Sequence, residues 1–245
     1  MLNEQTKEKL YALRLLVMAT AWQEQQKDPN IGALAFDDRF GLLVDAEYLA
    51  RDNRRLQKRL KEAQLRLPDA SIEDVETSGA RGLERSQLAQ LGTCTWIAEF
   101  TNVLISGPTG VGKSYLGCAL GQLACRRGFR VLYRRMPRLF EELSLARSDG
   151  TYAKKLAHLA RAEVIIVDDF GLGTLKERQR HDLLEVLEDR YGRRSMIVTS
   201  QLPVAKWHEW IGEATVADAI LDRLVHNAHK ITLKGPSRRK ESSKA

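Results

Sequence analysis

The run Gly107-Pro108-Thr109-Gly110-Val111-Gly112-Lys113-Ser114 constrains this chain more than any other stretch. It has the spacing G-x-x-x-x-G-K-S, with the apolar run Asn102 to Ser106 before it and a helical pattern from Lys113 to Arg127 after it. In that pattern Leu116, Ala119, Leu120, Leu123 and Ala124 share one face. A strand, a glycine turn and a helix in this order make a phosphate cradle. The glycines let successive backbone N–H groups converge on phosphate oxygens where a Cβ would clash. The N-terminus of the following helix adds a dipole that favours the anion. In such a loop Lys113 reaches the β and γ phosphates, and the Ser114 hydroxyl is a magnesium ligand.

The rest of the pattern agrees with an α/β fold. Further strands are predicted at Arg130 to Arg134, Val164 to Asp168, Met196 to Ser200 and Lys230 to Leu233. Helical segments are predicted at Pro137 to Arg147 and Thr151 to Arg161, split by Ser148-Asp149-Gly150. Alternating strands and helices imply a parallel five-stranded sheet covered on both faces. The run Val164-Ile165-Ile166-Val167 ends in Asp168-Asp169. Ligands sit at the carboxyl ends of strands in open α/β sheets, so both acids are placed to act on a bound nucleotide. Asp168 is expected to hold the magnesium, directly or through water, and Asp169 to orient or deprotonate the attacking water. The fourth strand can lie between the other two, which would bring Ser200 or Gln201 to the terminal phosphate.

Residues 1–68 read as a helical domain, 69–82 as a linker and 83–245 as the nucleotide-binding domain. Leu10, Leu13, Val17 and Ala21 suit one face of a single helix, and Asp45 to Leu67 reads as a second helix ended by Pro68. The stretch after Pro68 is acidic and broken by glycines, as linkers are. Arg51, Arg54, Arg55, Lys58 and Lys61 fall on one face of the second helix. Another basic run holds Arg134, Arg135 and Arg138, with Lys154 and Lys155 following. The chain carries +7 net charge with a pI near 9.4. Together these residues are the expected footprint of duplex DNA bound mainly through its backbone, independently of base sequence, the alternative for the helix face being a plain solvated surface. Three cysteines without a C-x-x-C spacing exclude a disulfide framework and a cysteine zinc site. The five histidines lack partners at metal-like spacing, and Trp96 reads as a core residue. No stretch is apolar enough to span a membrane, which predicts a cytoplasmic protein.

From Arg81 to Lys240 the residues resemble the initiator-type AAA+ ATPases, in the branch of the DnaC helicase loaders and the IstB helper ATPases of insertion sequences. The resemblance rests on Gly107 to Ser114, Asp168-Asp169-Phe170-Gly171 and Thr199-Ser200-Gln201-Leu202-Pro203 with Trp207-His208. It also rests on Ala219 to Leu224 and Gly235-Pro236-Ser237-Arg238-Arg239-Lys240, and the N-terminal helices with Asp37-Asp38-Arg39-Phe40 extend it. The resemblance implies an ATPase with ATP and Mg2+ as cofactors, assembling into a ring or helix with nucleotide between neighbours. It implies that Arg223 acts as a finger in the adjoining subunit's site and that Arg239, or Arg238, acts as a second sensor. It also implies that Leu83 borders the nucleotide, that the helical lid is absent or vestigial, and that a separate transposase is the partner. A helicase-loader role and a non-hydrolysing, ATP-switched DNA scaffold are the alternatives.

Overall fold

The computed structural model describes residues 2–237. Two compact units, divided at Lys58/Arg59, make up the chain. The division falls inside a helix, upstream of the boundary at Pro68 read from the sequence.

The first unit holds α1 (Leu2–Ala12), α2 (Leu16–Gln25) and most of α3 (Phe36–Ala63). The single helix expected across Leu10 to Trp22 is broken, with Arg14 in the left-handed region at φ +59°. A carboxylate far along the chain fixes the break. Glu47, buried on α3, accepts the N–H groups of Val17 (2.9 Å) and Met18 (3.0 Å), the otherwise unpaired donors of the first turn of α2. Arg51 donates to Glu47 Oε1 at 2.7 Å and to the carbonyl of Arg14 at 2.8 Å. The third helix starts earlier than the sequence suggested, at Phe36, where Asp37 and Asp38 in its first turn suit the helix dipole. It ends at Ala63, before Pro68, because Gln64 turns left-handed at φ +53°.

The Arg51 ion pair and the two amides hold the Glu47 carboxyl below the usual glutamate range. A lowered carboxyl pKa contributes stability that is complete above the unfolded value and is lost as pH falls through the folded one. Glu47→Ala should therefore weaken the unit by about 1–2 kcal/mol at neutral pH, the usual effect of removing a helix-start acceptor. Hydrogen exchange at the Val17 and Met18 amides checks this, with roughly tenfold faster exchange expected. Wild type should approach the variant only in acid.

In the second unit the end of α3 is followed by α4 (Arg85–Gly92) and α5 (Thr95–Ala98). The sheet and its helices follow as β1 (Asn102–Ser106), α6 (Lys113–Arg126), β2 (Val131–Arg135), α7 (Met136–Ser148), α8 (Tyr152–Arg161) and β3 (Val164–Phe170). Then come α9 (Glu177–Glu188), β4 (Ser195–Ser200), α10 (Trp207–Ile211), α11 (Ala214–Val225) and β5 (Ala228–Thr232). The strands lie in the order β2-β3-β4-β1-β5, all parallel. The fourth strand thus separates β1, which leads into the glycine turn, from β3, which carries the two aspartates. Strand β5 starts two residues before its predicted position because Ala228 already pairs with Asn102.

Helix α6 lies very close to the sheet: a Cβ on Gly121 would come within 2.6 Å of Ile166 Cδ1. Trp96 is buried, and its indole N–H donates to the Leu91 carbonyl at 3.1 Å, as a core residue should. Arg190 is buried without a carboxylate. Its guanidinium donates to the carbonyls of Leu159 (2.7 Å), Ala162 (3.0 Å) and Ser195 (2.7 Å), tying the end of α8 to the start of β4. The three cysteines are buried and unpaired. Among the described residues no helix is long and apolar enough to cross a membrane, and no cluster of three or more His, Cys, Asp or Glu could hold a metal by itself.

Candidate functional site

The glycine turn joins β1 to α6. Gly107 sits at φ +147° with its Cα against the Leu233 carbonyl, so any side chain there would strike backbone. Gly112 is the left-handed residue that starts α6 and aims the helix's first N–H groups into the turn. Lys113 is 8% exposed, and its ammonium donates to the Pro108 carbonyl at 2.7 Å, folding its tip back over the loop.

The turn lines a cleft of about 490 Å³. Thr109 to Ser114 form one side, with Asp169 and Gln201 at one end and Leu83 and Leu233 in the wall. Leu83, expected on resemblance alone to border the nucleotide, lies there, buried. Facing the turn are Arg66, Leu67, Val75, Glu76 and Arg81. The segment read from its composition as a linker is therefore part of the cleft. Arg81 fastens it, donating to the Val111 carbonyl at 2.9 Å while pairing with Glu76 at 3.2 Å.

Asp168 lies behind the turn, fully buried. Its Oδ1 accepts hydrogen bonds from Ser114 Oγ at 2.8 Å and from Thr199 Oγ1. The Tyr133 hydroxyl donates to Oδ2 at 2.6 Å, and Arg66 Nη1 stands 3.5 Å from the same oxygen. Burial and the carboxylate raise the Tyr133 phenol well above its ordinary pKa, so it remains a donor. One hydroxyl at a helix start beside one carboxylate suits magnesium, which takes most of its oxygens from phosphates and water and few from protein. The donor set at Ser114 and Asp168 fits the ion.

Asp169 departs from regular strand geometry. The pairing of β3 with β4 shifts register after Val167, and Asp169 has φ +62°. This bulge turns its carboxylate into the cleft, where Oδ2 accepts from Arg135 Nε at 2.9 Å. Its N–H donates to Thr199 Oγ1 at 3.3 Å. Phe170 anchors the bulge against Trp207 and Trp210, with ring centroids 4.4 and 4.9 Å away.

Of the two residues proposed at the end of β4, only one reaches the cleft. Gln201 lines it and accepts from the Thr109 hydroxyl at 2.9 Å. Ser200 does not, because its buried hydroxyl donates to the Phe170 carbonyl at 2.6 Å and accepts from the Leu202 N–H at 3.0 Å. The hydroxyl at this strand end that meets the two aspartates is instead that of the buried Thr199, whose strand end the sequence marked without singling it out. Arg66, Arg81 and Tyr133 were also missed as site residues.

Arg223 is on α11, outside this cleft. It donates to the Ala219 carbonyl at 2.7 Å, pairs with Glu188, and lies 5.8 Å from the Tyr191 ring. Arg238 and Arg239 fall outside the described residues.

The basic residues split into two groups. Glu142 gathers Arg134 (3.1 Å), Lys155 (2.6 Å) and Arg138 (3.8 Å), so the row around β2 is less positive than its sequence suggests. Arg138 also meets Glu141 at 3.0 Å, and Arg134, only 11% exposed, is a packing residue. Within the first unit Arg51 and Arg54 both address Glu47. Arg55, Lys58, Lys61 and Lys154 present exposed side chains.

Comparison with known proteins places the chain in an ATP-binding family. Residues 8–245 match the family described as IstB-like ATP binding protein. The insertion sequence ATP-binding protein y4pL of Sinorhizobium fredii is 50% identical over 98% of this chain and 98% of its own length. Among solved structures, DnaI superposes with a TM-score of 0.58 at 24% identity, over 70% of this chain and 91% of that one. The DnaC helicase loader gives 0.56 at 19%, over 68% and 97%. Those two likenesses concern the fold alone, a parallel sheet with flanking helices. With its parallel sheet, its glycine turn and a match spanning nearly all of its length, the chain belongs to the IstB-like ATP binding protein family.

Proposed function

We propose that this chain is an ATPase that assembles on duplex DNA and serves a separate transposase, with hydrolysis driving remodelling or release. The cleft carries the reading: Lys113 and the amides of the glycine turn converge beside an acid pair at the end of β3. In this reading the turn amides and Lys113 hold the β and γ phosphates, and Ser114 and Asp168 hold magnesium. The ion would neutralise phosphate charge as the bond to the leaving oxygen breaks. Water attacks the γ phosphorus, the β–γ bridging oxygen departs with ADP, and Asp169 takes the proton from the water. Thr199 positions both acids, hydrogen-bonding the Asp168 carboxylate and the Asp169 backbone. Gln201 stands where it can orient the water. Arg223, outside its own chain's cleft, would act in a neighbour's, which makes activity depend on assembly. The family's tie to insertion sequences and the exposed Arg55, Lys58, Lys61 and Lys154 support the DNA and transposase part.

The deciding experiment measures phosphate release against protein concentration, with and without duplex DNA. Activity per subunit should rise with both. A rate independent of both, or capture of a replicative helicase in place of the element's transposase, would overturn this reading.

The Arg135–Asp169 pair gives a sharper expectation. Arg135 holds the proposed base by an ion pair and is itself half exposed. Arg135→Ala should raise DNA-independent phosphate release about three- to tenfold, since the carboxylate oxygen that now accepts from the guanidinium is released to accept from the attacking water. Stimulation by DNA should shrink accordingly. Steady-state rates with and without duplex check this.

A further inference from the structure

We infer that Arg66 and magnesium compete for Asp168, so that the segment leaving α3 regulates how readily the site takes the metal. The inference rests on the cleft being a magnesium–nucleotide site. It assigns a role to a residue for which the ATPase reading has no use.

Asp168 is buried, and a buried carboxylate needs its charge balanced and its lone pairs filled. Oδ1 is served by two neutral hydroxyls, Ser114 and Thr199, and Oδ2 by the Tyr133 hydroxyl. Arg66 adds a cation to Oδ2 at 3.5 Å, one contact to that carboxylate rather than a bidentate fork, and its guanidinium also meets the Tyr133 hydroxyl. It comes from outside the sheet, on the segment between Ala63 and the cleft wall, and its side chain is 40% exposed. A guanidinium 40% exposed and 3.5 Å from its carboxylate can leave at small cost, whereas the three hydroxyls are fixed on α6, β4 and β2. A divalent ion at Ser114 and Asp168 brings its own positive charge to the same carboxylate. Two cations crowded at one carboxylate repel each other, so binding one weakens the other. Arg66 also lines the cleft, so its displacement shifts the wall that Leu67 continues.

The test uses the full chain and a binding readout. ATP affinity is measured by calorimetry in EDTA and across a magnesium titration, for wild type, Arg66→Ala, Arg66→Gln and Arg66→Lys. Competition predicts that Ala and Gln lower the magnesium concentration for half-maximal binding roughly three- to fivefold, as expected for a half-exposed ion pair. The Lys variant should stay near wild type. Ala and Gln should also lower the melting temperature measured without nucleotide and enlarge the rise produced by magnesium and ATP. An unchanged magnesium midpoint in the Ala and Gln variants overturns the inference. A raised midpoint does so too, by making Arg66 a helper of the ion. The nucleotide reading fails by a different result, namely no ATP binding by wild type at any magnesium concentration. Should the Ala variant not fold, the Gln and Lys pair carries the comparison.

Discussion

Lys113→Ala is expected to raise the dissociation constant for ATP at least about a hundredfold, the loss of two charge-assisted contacts at roughly 1.5–3 kcal/mol each. The lysine is nearly buried beneath the glycine turn, and its ammonium lies over that loop at the Pro108 carbonyl. Alanine leaves the backbone donors in place but no cation for the β and γ phosphates. Amides alone support far weaker binding of a triphosphate, because each contributes only a partial charge. Calorimetry measures the effect, and circular dichroism checks that the fold survives. A change of less than about fivefold would remove Lys113 from the site altogether, as that is less than one such bond.

Asp169→Asn should separate binding from chemistry. The amide keeps the size of the carboxylate and can still be carried by the left-handed bulge, a conformation asparagine tolerates well. It cannot accept a proton from water. Phosphate release should fall about 10²- to 10⁴-fold, the range for loss of a general base. ATP affinity should stay within a few-fold, since asparagine places no new group against the glycine turn. Equal and negligible rates in wild type and variant would favour the non-hydrolysing scaffold over an ATPase.

How much of this was legible beforehand depends on how local the cause is. The three inner strands β1, β3 and β4 are largely apolar and buried on both faces, which is why Asn102–Ser106 was bounded correctly and the other two to within two residues. The partly buried edge strands β2 and β5 were also placed to within two residues. The glycine turn is equally local, since its conformation and its chemistry are both written in consecutive residues. The break at Arg14 was not legible. The apolar spacing from Leu10 to Trp22 suits an unbroken helix, and the acceptor that caps α2 is Glu47, remote in sequence. Ser200 misled for a similar reason: sitting at the right strand end says nothing of a hydroxyl captured by the Phe170 carbonyl beside a bulge. The cleft-facing roles of Arg66, Val75 and Arg81 come from tertiary contact in a stretch whose polar composition looks like a tether. The basic run around β2 misled as well, because Glu141 and Glu142 lie just downstream of the arginines they neutralise.

The wall formed by Arg66, Leu67, Val75, Glu76 and Arg81 limits how such a chain can be cut and recombined. A fragment starting at Pro68, the natural place to cut on composition, would lose two of those five residues, Arg66 and Leu67. Exchange of N-terminal modules between relatives would have to carry the joint across with the motor, crossing over upstream of Arg66. The inherited unit is then longer than the nucleotide-binding fold, and the connecting peptide travels with the engine it encloses.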